Sequence, residues 1–350
     1  MSTTSGRRRA TPSKPAPGAG WRGRVDRVRD SRLPVTAWFT LVAAALVCLG
    51  TSAAEVGPGW LADAGSVAIS SAFTWALAAR VGGRPVLFGG LALVLGVTAV
   101  VSDLDQLRTG AAVLTCAVGG VLGVMATVPA RRFRVAAREV LVASVIGAIA
   151  AVASLGYEPV VLLGRFEYVT LALALAVSFG VVWRLGAGLH GLGRRGLVVV
   201  LVGALLLALA LGYAELLRRY GTPGLVESVL DGVADFRDRF GAVPRPTQAL
   251  LGIPALAWGV HMRARRRQGW WVCAFGVAAT LPLTHVLLNP ASSVLEVSLS
   301  FLYSLVMGLA LGYVVIRVDL ALTGSRGSRA RRAEEASAGR PEPARTQPLL

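Results

Sequence analysis

The 350-residue chain is 54% hydrophobic and only 16% charged, with a mean hydropathy of +0.62, a composition that soluble domains do not show. Its net charge of +17 does not indicate a nucleic-acid partner, because the arginines lie between apolar runs and at the two ends of the chain. Cys48, Cys116 and Cys273 all fall inside apolar runs, a pattern that supports neither a disulfide framework nor a zinc site. The partner that this composition predicts is the lipid bilayer.

Ten apolar runs, most of them near the length that crosses a bilayer, predict an all-α polytopic membrane protein. A disordered basic tail at residues 1–33 precedes a block of seven spans at 34–221. A polar loop at 222–246, a block of three spans at 247–318 and a disordered tail at 319–350 follow. The second and eighth spans are the weakest, because one is short and serine-rich and the other contains Pro254, so both could be tilted, broken or re-entrant. The predicted spans lie near 35–53, 65–80, 85–101, 110–129, 138–156, 168–185, 196–217, 247–262, 269–288 and 297–317.

The 222–246 loop predicts an amphipathic helix outside the bilayer. Thr222 is a suitable N-cap, Pro223 suits the first helical position and Gly241 supplies a left-handed stop. Apolar residues recur at spacings of three and four, and acidic residues share the opposite side. The helix either covers the outer ends of the spans or docks on a membrane or envelope protein. The apolar positions are Val226, Val229, Val233, Phe236 and Phe240, and the acidic ones are Glu227, Asp231, Asp235 and Asp238.

The distribution of charge predicts the orientation, because cytoplasmic loops are enriched in Lys and Arg. With the N-terminus inside, ten spans place 29 of the 36 basic residues on the inner side and 12 of the 19 acidic residues on the outer side. We therefore expect a plasma-membrane protein with both termini in the cytoplasm and an extracytoplasmic amphipathic helix. The richness in Ala, Gly and Arg is typical of a high-GC bacterial coding sequence.

Two groups of polar residues are candidate functional sites. His285, Asn289 and Glu296 lie near the outer ends of the last two spans, where a histidine and a carboxylate on adjacent helices could hydrogen-bond and titrate near neutral pH. Alternatively, they are ordinary polar residues at the level of the lipid headgroups. The second group comprises the four acidic residues of the loop helix. The sequence contains no recognisable catalytic, nucleotide-binding or metal-binding pattern, so no catalytic residue, cofactor or metal is predicted.

These features predict a non-catalytic envelope component or a small-solute carrier. The topology is also similar to that of peptidoglycan-polymerising shape and division proteins and of O-antigen polymerases and ligases, although their sequence signatures are absent. That similarity supplies the alternative, a polysaccharide polymerase or glycosyltransferase that uses Glu227, Asp231, Asp235 or Asp238. Drug and metabolite transporters likewise have ten spans, divided five and five, but no internal repeat is visible in this chain. The oligomeric state is not predicted.

Overall fold

The structure is a computed structural model that describes residues 33–265, 269–289, 292–323 and 342–349. Within these ranges the regular structure is helical, without strands. Eight of the described helices are long and apolar enough to cross a membrane. The chain is therefore an all-α polytopic membrane protein, as predicted. The predicted N-terminal tail lies outside the described residues, apart from Leu33 at the start of the first helix.

The first five helices follow one another through short connections. Gly82 has a φ of 72°, and Pro85 then fills the first position of the next helix, where its missing N–H costs nothing. Asp103 ends that helix in the left-handed region. These five helices are α1 (Leu33–Ala53), α2 (Trp60–Arg80), α3 (Pro85–Ser102), α4 (Asp105–Met125) and α5 (Phe133–Leu155).

Contacts between these helices define two ends of the bundle. At one end, which we call the basic end, the Arg80 Nε atom donates to the Met125 carbonyl oxygen at 2.9 Å. At the other, which we call the acidic end, an Nη1 atom of Arg108 lies 3.4 Å from the Asp63 carboxylate. Successive helix termini alternate between these ends, as spans of a membrane protein do.

The next two long helices follow each other directly, and the chain turns between them. One π-helical turn, Trp183–Ala187, joins α6 (Leu163–Val182) to α7 (Gly188–Tyr220). The ring of Phe179 lies 5.3 Å from the ring of Phe275. A Cβ atom on Gly203 would lie 2.6 Å from the same Phe275 ring. Because residues 24 positions apart reach one side chain, the chain must reverse direction between them.

The predicted amphipathic helix is confirmed as α8 (Pro223–Phe240), with Thr222 before it and Gly241 after it at a φ of 76°. Its far end is attached to the last long helix, which we call α13 (Val294–Thr323). The Tyr303 hydroxyl donates to the Phe240 carbonyl oxygen at 2.8 Å. Val229, Val233, Phe236 and Phe240 nevertheless remain exposed, so the apolar face of α8 is largely unpacked.

Residues 247–265 and 269–287, here called the central segment, form a series of short helices that is buried almost throughout. Pro254 and Pro282 occupy first-turn positions of two pieces, where they have no backbone N–H to donate. Gly252 permits close backbone approach, since a Cβ there would lie 2.2 Å from the Ala279 nitrogen. The pieces are a π-helical turn (Thr247–Gly252), α9 (Ile253–Arg263), α10 (Gly269–Ala274), α11 (Val277–Thr280) and α12 (Pro282–Leu287).

The structure differs from the sequence-based expectations at three places. The second span, predicted to be weak, is a continuous helix of 21 residues, because its serine and threonine hydroxyls bond to carbonyl oxygens one turn back. The ninth span is broken into α10, α11 and α12. The tail predicted to be disordered from residue 319 instead continues α13 to Thr323, and its residues 342–349 are packed against the basic end. Residues 324–341 lie outside the described residues.

Candidate functional site

The three polar residues predicted at the ends of the last two spans do not form a described cluster. The Glu296 carboxylate is paired with Arg237 of α8 at 2.7 Å. The backbone N–H of Asn289 donates to the Val286 carbonyl oxygen at 3.2 Å. The side chain of His285 lies outside the described side chains. The pairing of His285 with Glu296 therefore stays a prediction, and the described partner of Glu296 is a residue that the sequence did not suggest.

The four acidic residues of α8 are all exposed. Asp235 has a described ion pair with Arg239 one turn along the helix at 3.7 Å. The other members of the group are Glu227, Asp231 and Asp238. General acid or nucleophilic chemistry requires a carboxyl group held in a defined environment beside a second reacting group. The described surroundings of these four carboxylates contain no such arrangement.

A more enclosed group of charges lies at the basic end, where Arg80, Thr127, Glu139 and Arg263 come together; we call it the basic-end cluster. The side chain of Arg263 has no solvent exposure. Its guanidinium donates to the Thr127 hydroxyl at 2.7 Å and to the Thr127 carbonyl oxygen at 3.1 Å. It also lies over the ring of Trp270, with 3.5 Å between Cζ and the ring centroid. The stacking and hydrogen bonds fix the direction of this charge.

Glu139 supplies the negative charge of the cluster. Its side chain has no exposure, and one carboxylate oxygen accepts a hydrogen bond from the Val128 backbone N–H at 3.0 Å. Arg138 also approaches the carboxylate, at 3.0 Å, from a largely exposed position. A buried carboxylate with fixed donors is held in one orientation, ready for a cationic partner.

The partners that complete the basic-end cluster come from residues 342–349, here called the C-terminal segment. Its Glu342 carboxylate pairs with Arg263, and its Arg345 guanidinium reaches both oxygens of Glu139 at 2.8 and 2.9 Å. Arg80 donates to the carbonyl oxygens of Ala344 and Gln347. The C-terminal segment thus closes the basic end with alternating charges.

A chain of buried hydroxyls enters the bundle from the acidic end. The Ser70 hydroxyl lies 2.9 Å from the Tyr157 hydroxyl and 2.5 Å from that of Thr115. Burial raises the pKa of the Tyr157 phenol, while its hydrogen bonds act in the opposite direction, so Tyr157 stays neutral and able to donate near neutral pH. Deeper in the bundle, the Cys116 thiol lies 2.9 Å from the Ser154 hydroxyl. These groups form a short polar path within an otherwise apolar core.

A cleft beside the central segment opens between α6 and the starts of two central pieces. Glu167, Thr170, Thr247 and Pro282 are among its lining residues, and the empty space there is about 270 Å³, including open solvent. Nearby, the buried Gln248 side chain donates to the Ala279 carbonyl oxygen at 2.9 Å, which satisfies a backbone group of the interrupted chain. The cleft combines hydroxyls, one carboxylate and apolar walls, and its space for water is about 10 Å³, room for about one water molecule.

Sequence reasoning missed the basic-end cluster because Arg80, Arg263 and the 131–138 arginines were interpreted only as charges that orient the spans. A signal was nevertheless present. Glu139 is an acid directly after four arginines at the start of an apolar run, and Glu342 and Arg345 are spaced three residues apart in a proline-rich tail. Neither pattern predicts contact by itself, because 79 positions separate Glu342 from Arg263 and 206 separate Arg345 from Glu139.

The fold defines an all-helical membrane protein with an interrupted, buried segment at its centre and an ionic cluster closing one end. No protein-family model, curated protein or solved structure matches the chain.

Proposed function

We propose that this protein is a carrier that moves a small polar solute across the membrane. The observation that carries the proposal is the interrupted central segment, which is surrounded by the long helices. A broken helix at membrane depth exposes backbone groups that lipid cannot satisfy, so it is tolerated where protein surrounds it or where it lines a polar cavity. In secondary transporters, such discontinuous helices build the substrate site.

The arrangement at the two ends of the central segment supports this proposal. The cleft with Glu167, Thr170 and Thr247 lies near the start of α9. Arg263, at the other end of α9, is enclosed by its contacts with Thr127 and Glu342. A carrier needs a site that is open to one side while an ion-pair network closes the other. Rocking of the packed helices would then exchange these two states.

We further propose that the basic end faces the cytoplasm of a bacterial plasma membrane. The excess of arginine at that end follows the rule that short cytoplasmic loops are rich in basic residues. In this orientation the cleft opens to the outside, and α8 lies on the extracytoplasmic surface.

Exchange of access between the two ends tests the carrier proposal even before the solute is identified. Single cysteines are introduced at the half-buried Glu167 in the cleft and at the buried Ala130 near the basic end. The native Cys48, Cys116 and Cys273 are replaced by alanine. In proteoliposomes we expect impermeant thiol reagents to label Glu167→Cys from one side and Ala130→Cys from the other. A transported solute should change the two rates in opposite directions.

A panel of labelled anionic, cationic and zwitterionic solutes is then screened for uptake by the same proteoliposomes. The exposed Leu162→Cys variant is the matched control, since its labelling should not depend on solute. Monodisperse protein that shows neither exchange of access nor uptake of any solute would contradict the carrier proposal.

The second candidate is a non-catalytic envelope component that binds a protein through residues 222–246. It is favoured by one observation, the exposed apolar face of α8, in which Leu230 is 59% and Val233 45% exposed. Photo-crosslinking from position 230 in intact cells tests this candidate. A single reproducible partner, together with inactivity in the transport assays, would favour the envelope component over the carrier.

A further inference from the structure

The contacts of the C-terminal segment with the basic-end cluster divide into side-chain recognition and backbone recognition. For side chains, the acidic Glu342 meets the buried Arg263, and the basic Arg345 meets the buried Glu139. The C-terminal segment therefore presents an acidic and a basic side chain, three positions apart, to two bundle residues of the opposite charge. Reversing either charge would place like charges together in a site with little water.

Among the described residues, Arg80 supplies the backbone recognition. Its guanidinium donates to the carbonyl oxygens of Ala344 and Gln347, and its own carbonyl oxygen accepts the N–H of Leu349 at 2.7 Å. Arg80 is 4% exposed, and its buried Nη2 atom has no hydrogen-bond partner among the described residues. The residue thus holds the peptide backbone from a buried position.

The binding residues belong to the helical bundle, whereas the residues that they bind belong to the C-terminal segment. Arg80 ends α2, Glu139 lies in α5 and Arg263 ends α9. Within the C-terminal segment, Ala344, Thr346, Gln347 and Pro348 are exposed, and Leu349 is its one described hydrophobic residue packed against the core. Polar contacts with little apolar burial give an association that can exchange.

We propose that the basic-end cluster is a peptide-binding site that recognises a Glu-x-x-Arg pattern, and that the C-terminal segment is its resident, exchangeable ligand. The bound chain is not fully extended, because it turns where the Gln347 N–H donates to the Ala344 carbonyl oxygen at 2.9 Å. This inference goes beyond carrier function and does not depend on it. The site is occupied within one molecule, so a free peptide of the same sequence competes with the C-terminal segment. Release of that segment leaves the charges of Arg263 and Glu139 open.

The test uses the full chain with the charges of its own ligand exchanged, Glu342→Arg with Arg345→Glu. A fluorescent peptide with the sequence of residues 342–349 is titrated into the purified protein in detergent, and its anisotropy is measured. We expect the exchanged chain to bind the peptide at least about tenfold more tightly than the unmodified chain, because its own segment no longer competes. Monodisperse exchanged protein that does not bind the peptide would overturn the proposal.

Two further variants in the exchanged background separate recognition from general charge. Glu139→Gln should weaken peptide binding by about tenfold or more, since it removes a charge-assisted pair in a buried site. Arg134→Glu, on the exposed surface of the same helix, should leave binding unchanged. Equal binding of a peptide with the two charges exchanged would also contradict the proposal.

A second measurement avoids altering the charges. A fluorophore is attached at Ala344→Cys in the chain whose native cysteines are replaced by alanine, and unlabelled peptide is added in excess. Displacement should lower the anisotropy of the attached fluorophore toward that of a free tail. Anisotropy that stays constant at saturating peptide would show a permanent structural contact and overturn the exchange.

Discussion

At the scale of single residues, the basic-end cluster shows how ion pairs and hydrogen bonds stabilise a buried charge in a membrane protein. Arg263 and Glu139 are both fully buried, and each has hydrogen bonds within the bundle in addition to its ion pair. Removing one member of such a set leaves the other charges without compensation, whereas removing an exposed charge leaves water in its place. Stability should therefore depend on Glu139 far more than on its exposed neighbours.

Replacement Glu139→Ala is expected to lower the free energy of unfolding by about 3 kcal/mol, the lower end of the range for a broken buried pair because Arg345 is partly exposed. The measurement is unfolding in mixed micelles followed by helical circular dichroism. Arg134→Ala serves as the control and should change the free energy by less than about 0.5 kcal/mol. Equal effects of the two variants would contradict the burial argument.

At the scale of elements, glycines set how closely the helices approach. The four glycines of α4 differ sharply in their surroundings. A Cβ on Gly119 would lie 2.1 Å from the Ala150 Cβ atom of α5, whereas a Cβ on Gly110 would meet nothing within 4 Å. Gly119 therefore lets α4 approach α5 closely, and Gly110 has no such role.

The same substitution at these two positions of α4 should have opposite effects. Gly119→Ala must separate α4 from α5 and should destabilise the protein by about 1–3 kcal/mol. Gly110→Ala should be neutral or stabilising by up to about 1 kcal/mol, since alanine restricts the unfolded chain and favours helix. Parallel unfolding curves measure both values, and destabilisation by Gly110→Ala would refute the packing argument.

The acidic face of α8 is the element on which the enzyme alternative depends. Single alanine replacements of Glu227, Asp231, Asp235 and Asp238 should each change the unfolding free energy by less than about 0.5 kcal/mol, because all four side chains are exposed. Complementation of a deletion strain tests their function. If all four variants complement fully, the polymerase or glycosyltransferase alternative loses its candidate residues; loss of function in a stable variant would support it.

At the scale of the whole molecule, the two ends of the bundle differ in charge and in closure. The basic end is sealed by the C-terminal segment, and the acidic end has Arg108 between Asp63 and Asp103 at 3.4 and 3.1 Å. The long helices surround the central segment, and exposed apolar side chains such as Val86 and Val94 form an outer surface suited to lipid.

Orientation is tested by thiol labelling in intact cells. Leu230→Cys on α8 should react with an impermeant reagent added from outside, whereas Ala344→Cys should react only after the membrane is opened. The native cysteines are replaced in both chains, and labelling after solubilisation in detergent confirms that each cysteine is reactive. The reverse pattern would invert the proposed orientation.

Much of the helical framework could be predicted from the sequence, because the length and apolarity of a span and the caps of α8 are properties of neighbouring residues. Thr222, Pro223 and Gly241 bound α8 as expected. The second span was underestimated, since its hydroxyls lower its hydropathy yet bond to their own helix. The ninth span was predicted as one helix, and its division into three short helices depends on packing by surrounding helices.

The sequence by itself determined that the chain is helical, that its composition suits a bilayer and in which parts of the chain most of its long helices lie. Only the tertiary structure decided that the central segment is enclosed, that Glu296 pairs with Arg237, and that Glu342 and Arg345 meet Arg263 and Glu139. The physical reason is the separation along the chain between the residues that interact. A helix forms in lipid when its backbone groups hydrogen-bond within the segment and its apolar run is long enough to cross the bilayer. The pairing of buried charges depends instead on which distant residues the packed helices bring together.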